Sequence, residues 1–381
     1  MCRIALYIII LVTQLVTSHT YALTTNSTDI KVLVLEGNYS EMGYAYGEQM
    51  QSALSSSLEI LKKFYVQEQG IKLQDIYAQA DLFYRRFPLH FQQFIQAMAH
   101  GAHISLNDAK VLNAMETLGA LLPATHGRGS QCAFLALPGN RTLSKTLLIG
   151  RNYDFSSPYD KLARFLTVTI LKPPHAIPTA IIALAGEIYC PTCVNARGIF
   201  LELNNGMPSG GYAVNTKVES LLIRLLTVLQ SSETLDAVGN AFKAIPAVDY
   251  SLIINAADKN KINSYEFSTT KGMKEVTPSE GSVFASTNYY LNPTWNAPRP
   301  SDHTTWLGVT RRNHLLQLGQ GTHAMSIQDF EALMNKNLRQ GGAVWSSTIY
   351  QIIFDPSQLT LHLKINQQGN RWQQVSLAQY F

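Results

Sequence analysis

The feature that most constrains this 381-residue chain is a change of hydrophobic period about a third of the way along it. Over residues 40–66, apolar side chains fall at Met42, Tyr46, Met50, Leu54, Leu58 and Leu61, the spacing of one helical face, with Ser40 as the expected N-cap. Residues 70–120 keep that texture. It stops at Leu121-Leu122-Pro123-Ala124-Thr125-His126-Gly127-Arg128-Gly129-Ser130, a stretch expected to be an exposed, flexible loop, which ends at Gln131-Cys132. Beyond it come short β-type runs at 146–150, 165–171, 179–185 and 198–203, read as antiparallel strands. A helix follows, with Val218, Leu221, Leu222, Leu225, Leu226 and Leu229 on one face, and a second spans 233–243. Strands resume at 250–256, 262–267, 283–287, 348–354 and 359–365. Strands, two helices and strands again call for sheets packed against helical layers.

Composition sets the outer bounds. With 46% hydrophobic and 15% charged residues, the chain has the material for one large domain or two modest ones, and disorder is not expected. The formal charge is +4, but the 30 Lys and Arg form no run longer than a pair such as Lys62-Lys63, so no nucleic-acid face is indicated. Met1-Cys2-Arg3, the apolar stretch 4–16 and Thr20-Tyr21-Ala22 have the three zones of a secretory signal peptide, with cleavage expected after about Ala22. A membrane anchor is the alternative, but the apolar run is broken by Thr13 and Gln14 and is shorter than the ~20 residues a span needs. The expected location is therefore secreted or periplasmic. Sequons at Asn26, Asn38 and Asn140 matter only in a eukaryotic host.

Loss of the signal removes Cys2 and leaves Cys132, Cys190 and Cys193. Cys190-Pro191-Thr192-Cys193 fits a disulfide, half a zinc site or a redox motif; with no second such pair and no His-x-x-His, a structural pair is favoured. Cys132 then stays a thiol, at a point where a loop meets the first strand of the β-rich part. No Gly-x-Ser-x-Gly elbow and no His-Glu-x-x-His motif is present, and neither a cofactor nor a metal is expected.

Several segments, taken in order, carry a resemblance. They are Gly37-Asn38-Tyr39-Ser40-Glu41-Met42-Gly43-Tyr44-Ala45-Tyr46-Gly47-Glu48-Gln49, then Cys132, then Gly150-Arg151-Asn152-Tyr153-Asp154-Phe155. Ala185-Gly186-Glu187-Ile188, residues 194–204, Thr287-Asn288-Tyr289-Tyr290 and residues 348–356 follow. Over most of residues 30–365 the chain resembles the acyl-coenzyme A:6-aminopenicillanic acid acyltransferase family, relatives of the choloylglycine hydrolases and penicillin V acylases among the N-terminal nucleophile hydrolases. The resemblance implies an α+β fold, a four-layer αββα sandwich with a helical N-terminal segment. It also implies three parts: a signal peptide at 1–22, a helical light chain or propeptide at 23–131, and a catalytic heavy chain at 132–381.

The resemblance further implies a secreted, self-cleaving amidohydrolase or acyltransferase acting on a linear N-acyl amide. Cys132 attacks the Gln131 carbonyl, the thioester hydrolyses, and the freed α-amine becomes the general base for the same residue's thiol. An α-amine titrates near ~7.7 to 8.0, which suits proton transfer at neutral pH. Arg151 is expected beside the sulfur. Asp154 is expected to orient the amine, from a bend beyond the strand end, because i and i+3 in a strand face opposite ways. Asn204 and Asn288 are expected to supply oxyanion-hole donors, with Asn205 an alternative to Asn204. Arg311 is expected to brace the site, with Arg312 nearly as good a candidate. Relatives carry a small residue before the Cys and Ser or Thr after it, where this chain has Gln131 and Ala133. Tyr153, Phe155, Tyr289 and Tyr290 are candidates for lining an acyl pocket. Expected partners are the small-molecule substrate and the chain's own two fragments, with no nucleic acid; a homo-oligomer stays open. Two alternatives from other classes are a non-catalytic binding relative and a thiol-disulfide oxidoreductase using Cys190 and Cys193.

Overall fold

The computed structural model describes residues 30–121, 131–298, 300–321, 323–366 and 371–381. The expected signal peptide, the sequon at Asn26 and the loop at 122–130 lie outside the described residues.

A strand that the periodicity did not reveal, β1 (Lys31–Glu36), opens the fold. The helix that follows, α1 (Tyr39–Lys62), is capped by Asn38 and not by Ser40. Asn38 is in extended conformation, and its side-chain oxygen accepts from the backbone N–H of Ser40 and Glu41 at 3.0 Å each. The Glu41 carboxylate accepts from Asn38 N–H at 2.8 Å, which completes a capping box and starts the helix at Tyr39. A π-type turn, Lys63–Glu68, extends α1. Then come α2 (Leu73–Tyr84), α3 (Leu89–Gly101), α4 (Leu106–Asn113) and α5 (Met115–Leu121). Gly43 and Gly47 bring α1 into backbone contact with α3, since a Cβ on either would overlap the carbonyl oxygen of Phe94 or Met98.

After the loop the chain forms β2 (Ala133–Leu137), β3 (Leu148–Asp154), a single turn α6 (Tyr159–Leu162), β4 (Leu166–Lys172), β5 (Thr179–Leu184), β6 (Thr192–Asn195) and β7 (Phe200–Asn205). Next are a single turn α7 (Met207–Gly210), α8 (Leu221–Ser231), α9 (Leu235–Lys243), β8 (Leu252–Ala257), β9 (Ile262–Ser268), β10 (Gly272–Val276) and β11 (Phe284–Ser286). The last elements are α10 (Gly308–Gly319), α11 (Ile327–Met334), β12 (Thr348–Asp355), β13 (Thr360–Ile365) and β14 (Gln373–Ser376).

The strands make two sheets, one ordered β1-β4-β5-β6-β7-β8-β9-β10 and the other β11-β2-β3-β12-β13-β14. The expected antiparallel pairing holds except at β1, which runs parallel to β4 and joins the N-terminal segment to the larger sheet. Side chains of β2 show how the layers stack. Phe134 and Ala136 face the other sheet, where Phe134 meets Phe200 at 6.4 Å between ring centres and Phe200 meets Phe354 at 5.7 Å. Ala133, Leu135 and Leu137 face away, into a second cluster with Leu315 of α10 and Phe330, Leu333 and Met334 of α11. On the far side, α8 packs on β5 and β6, and α9 on β8. The result is the four-layer αββα sandwich, with helices on both outer faces. Strands covered on both sides read as near-continuous apolar runs, which is why period alone marked them weakly. Among the described residues no helix is long and apolar enough to cross a membrane.

Candidate active site

Cys132 sits one residue before β2, where the β2–β3 ladder pairs Ala133 with Asn152. The ladder continues upstream, with Gln131 N–H donating to the Asp154 carbonyl at 2.9 Å. This pairing puts the Gln131–Cys132 peptide beside the C-terminal end of β3, the strand that carries Arg151 and Asp154.

The expected bend at Asp154 is not there, because β3 runs through that residue. Arg151 and Asp154 do face opposite ways, and the site uses both faces. On the side between the sheets, Arg151 Nη2 donates to Cys132 Sγ at 3.3 Å and to the Leu203 carbonyl at 2.7 Å. Its Nε pairs with Glu202 Oε2 at 3.1 Å, and its Nη1 donates to the Pro191 carbonyl and to Thr192 Oγ1. On the helix side, Arg311 from α10 donates through Nη1 to Asp154 Oδ2 at 2.7 Å and to the Gln131 carbonyl. Its Nη2 donates to Asn288 Oδ1 at 3.0 Å. Arg151, Asp154, Asn288 and Arg311 are all fully buried.

Burial raises the Asp154 pKa against the opposing pull of Arg311, and burial lowers that of Arg311 against the pull of Asp154. Both directions express the desolvation cost of a buried ion pair. Burial alone would lower the Arg151 pKa too, but the charges of Cys132 and Glu202 overcome it and raise the value.

Of the six expected site residues, the structure brings five into direct contact around one peptide bond: Cys132, Arg151, Asp154, Asn288 and Arg311. Arg311 points into this cluster, whereas Arg312 turns away and donates to the Ala285 carbonyl at 2.8 Å. Asn204 lies in an adjoining polar cluster. Its side chain meets Ser286 at 3.3 Å, and in the amide orientation that best satisfies its neighbours its nitrogen donates to Glu202 Oε2 at 3.1 Å. Asn205 faces the other way, its Oδ1 accepting from Met207 N–H at 2.9 Å while its carbonyl accepts from Asn288 Nδ2 at 3.1 Å.

Sequence reasoning missed Glu202, which neutralises Arg151, and its partner Asn255, which donates to the other Glu202 oxygen. The available signal was a carboxylate inside the otherwise apolar run Phe200-Leu201-Glu202-Leu203. Three of the four aromatic candidates for an acyl pocket pack against other rings, while Tyr289 lies beside Arg312. Tyr153 stacks on Tyr350 at 4.6 Å, Phe155 packs on Tyr159 at 3.9 Å, and Tyr290 stacks on Trp295 at 4.9 Å. A mainly apolar pocket does adjoin the site across β7, lined by Leu203, Asn205, Leu222, Tyr250 and Leu252 with Glu116.

Cys190 and Cys193 form a disulfide, with both residues buried. Their setting is an antiparallel strand and not a βαβ unit, and both sulfurs are shut off from solvent, which removes the basis for an oxidoreductase. Among the described residues no group of three or more His, Cys, Asp or Glu side chains converges as a metal site would require.

The chain matches no protein-family model and no curated protein sequence. Among solved structures it is similar to the Caenorhabditis elegans ortholog of N-acylethanolamine-hydrolyzing acid amidase, at 14% identity and a TM-score of 0.44, over 59% of this chain and 93% of that one. It is also similar to the C2A mutant of conjugated bile acid hydrolase from Clostridium perfringens, at 12% identity and a TM-score of 0.42, over 65% and 93% of the two chains. A third is penicillin V acylase from Agrobacterium tumefaciens, at 10% identity and a TM-score of 0.41, over 65% and 86%.

Proposed function

We propose that this chain is an exported cysteine amidohydrolase of the N-terminal nucleophile class, made as an inert precursor that cuts itself between Gln131 and Cys132. One observation carries the reading. Two fully buried arginines grip the two reacting ends of that peptide, Arg151 on Cys132 Sγ at 3.3 Å and Arg311 on the Gln131 carbonyl oxygen. A structural ion pair has no need of either contact.

In the first reaction, Cys132 Sγ attacks the Gln131 carbonyl carbon, whose developing negative charge falls on the oxygen that Arg311 holds. The C–N bond breaks, the nitrogen takes a proton and becomes an α-amine, and Gln131 is left as a thioester. Water then splits the thioester into a Gln131 carboxylate and the Cys132 thiol. In the second reaction the new α-amine, held by Asp154, takes the thiol proton as Cys132 attacks an N-acyl amide. The amine product leaves with a proton, and water releases the acyl group. The acyl group is expected to be apolar, and water is the acyl acceptor for an exported enzyme.

The test is intact-mass analysis with N-terminal sequencing of the purified protein beside a Cys132→Ala variant. A wild-type fragment beginning at Cys132, with the variant uncut, is expected. A wild-type chain that stays whole under conditions where it is folded overturns self-cleavage.

A further inference from the structure

We propose that the loop closed by the Cys190–Cys193 disulfide positions the nucleophile, with the Pro191 carbonyl and the Thr192 hydroxyl holding Arg151 against Cys132 Sγ. The guanidinium is a rigid planar fork, so fixing two of its nitrogens fixes the direction of the third. Arg151 Nη1 is held by hydrogen bonds to Pro191 O and Thr192 Oγ1, and Nε is held by charge pairing with Glu202 Oε2 at 3.1 Å. What remains is Nη2, which points at Leu203 O and Cys132 Sγ. The Pro191 carbonyl also accepts from Leu203 N–H at 3.2 Å, so the loop, β7 and the guanidinium form one closed ring of hydrogen bonds.

The disulfide spans only three positions, with the two Cα atoms 5.5 Å apart, and Pro191 has a fixed φ. A four-residue loop tied at both ends has little freedom to move its carbonyl and hydroxyl. Thr192 is fully buried and leads directly into β6, where it pairs with Glu202, the carboxylate on the opposite edge of the same guanidinium. The cross-link thus serves as a local template, which explains a buried cysteine pair with no redox or metal partner. Pro191 and Thr192 are positioning residues, since neither touches the reacting atoms. The other charged or titratable groups that bear on Cys132 and Arg151 are Glu202 on β7, Glu116 on α5, Glu187 in the β5–β6 connection, Tyr153 and Asp154 on β3, Arg311 on α10 and Tyr350 on β12. None of these residues is substituted in the variants below.

The test is a pH titration of the Cys132 Cβ resonance in the full chain labelled with 13Cβ-cysteine, which reads thiol against thiolate without requiring access by a reagent. In Thr192→Val, and in the double variant Cys190→Ala/Cys193→Ala, the midpoint is expected to rise by about one pH unit, a roughly tenfold loss of thiolate at a given pH below it. Thr192→Ser keeps the hydroxyl and is expected to titrate like the wild type. Unchanged midpoints in the folded Thr192→Val and double variants overturn the proposal, as does a Thr192→Ser shift as large as that of Thr192→Val, which would indicate packing alone. If those two variants fail to fold, the wild-type chain is produced under reducing conditions, where Cys190 and Cys193 stay as two thiols. The same upward shift is then expected, and its absence with the disulfide fully open overturns the proposal. The inference rests on the proposed enzyme only in treating Cys132 as a nucleophile. A chain that never cuts itself yet shows the shift defeats the enzyme reading and leaves the positioning intact.

Discussion

Arg311 brings a full positive charge to a position with no exposure to solvent and distributes it over three acceptors, on Gln131, Asp154 and Asn288. In the proposed chemistry only the Gln131 oxygen gains charge, so the arginine acts on the transition state more than on the resting peptide. Replacing Arg311 with Lys is expected to slow cleavage at Gln131–Cys132 by about 10²–10³-fold, the usual loss for one oxyanion donor, because an ammonium lacks the fork that spans three acceptors. A time course of fragment appearance on denaturing gels checks this. Arg311→Leu is expected to do more, unfolding the chain, since it strands the Asp154 carboxylate in the interior at a cost of about 3–5 kcal/mol. Cys132, Arg151, Asp154, Asn204, Asn288 and Arg311 were named from motifs through the family resemblance, and all but Asn204 lie in direct contact around the Gln131–Cys132 peptide. The bond from Arg311 to the Gln131 carbonyl was not legible, because the two residues are 180 positions apart and no pattern in the chain records that distance.

At the scale of elements, the start of α1 and its contact with α3 separate two kinds of information. The capping box at Asn38 and Glu41 is local, and Asn38→Ala is expected to cost about 1 kcal/mol in urea unfolding while Ser40→Ala stays near neutral. The opposite result would restore Ser40 as the cap. Gly43 and Gly47 are tertiary, since nothing in α1 itself demands glycine. Gly47→Val is expected to force α1 and α3 apart at a cost of about 1–3 kcal/mol, read as a lower unfolding midpoint. The strands divide in the same way. The runs at 262–267 and 348–354 nearly coincide with β9 and β12. By contrast β1, only six residues long and paired with a strand 136 positions later, carries no strong local signal.

For the whole molecule, the distinctive feature is buried acid. Glu187 accepts from Tyr189 at 2.7 Å and from Leu184 N–H at 3.1 Å, and Glu116 lies fully desolvated nearby, with Arg151 and Tyr189 the groups that favour its charged form. Burial pushes Glu116 up to about 7 and Glu187 up to about 8, the second helped by the first. A carboxyl whose folded pKa lies above its unfolded value stabilises the fold fully below the unfolded pKa and loses that contribution as pH rises through the folded value. Stability is therefore expected to fall on going from about pH 4.5 to about pH 8, by an amount on the order of a few kcal/mol. Thermal unfolding followed by circular dichroism across that range checks it: the wild-type midpoint should drop and that of Glu116→Gln should drop less. A flat wild-type profile would mean that the two carboxyls are solvated.

The division between sequence and structure follows from the range of the forces involved. By itself the sequence determined the mainly helical first third, the β-rich remainder and the position of Cys132 where a loop meets the first strand of the β-rich part, while the other candidate site residues came from the family resemblance. The first three depend on hydrophobic period, turn residues and side-chain type, all of which act over a few positions. Only the tertiary structure decided that β1 joins the larger sheet, that Glu202 neutralises Arg151, and that Arg151 and Arg311 meet the two ends of one peptide bond. Each of those contacts joins residues far apart in the chain, and each persists because burial makes an unpaired charge or polar group costly, a condition that exists only once the two sheets have closed on each other.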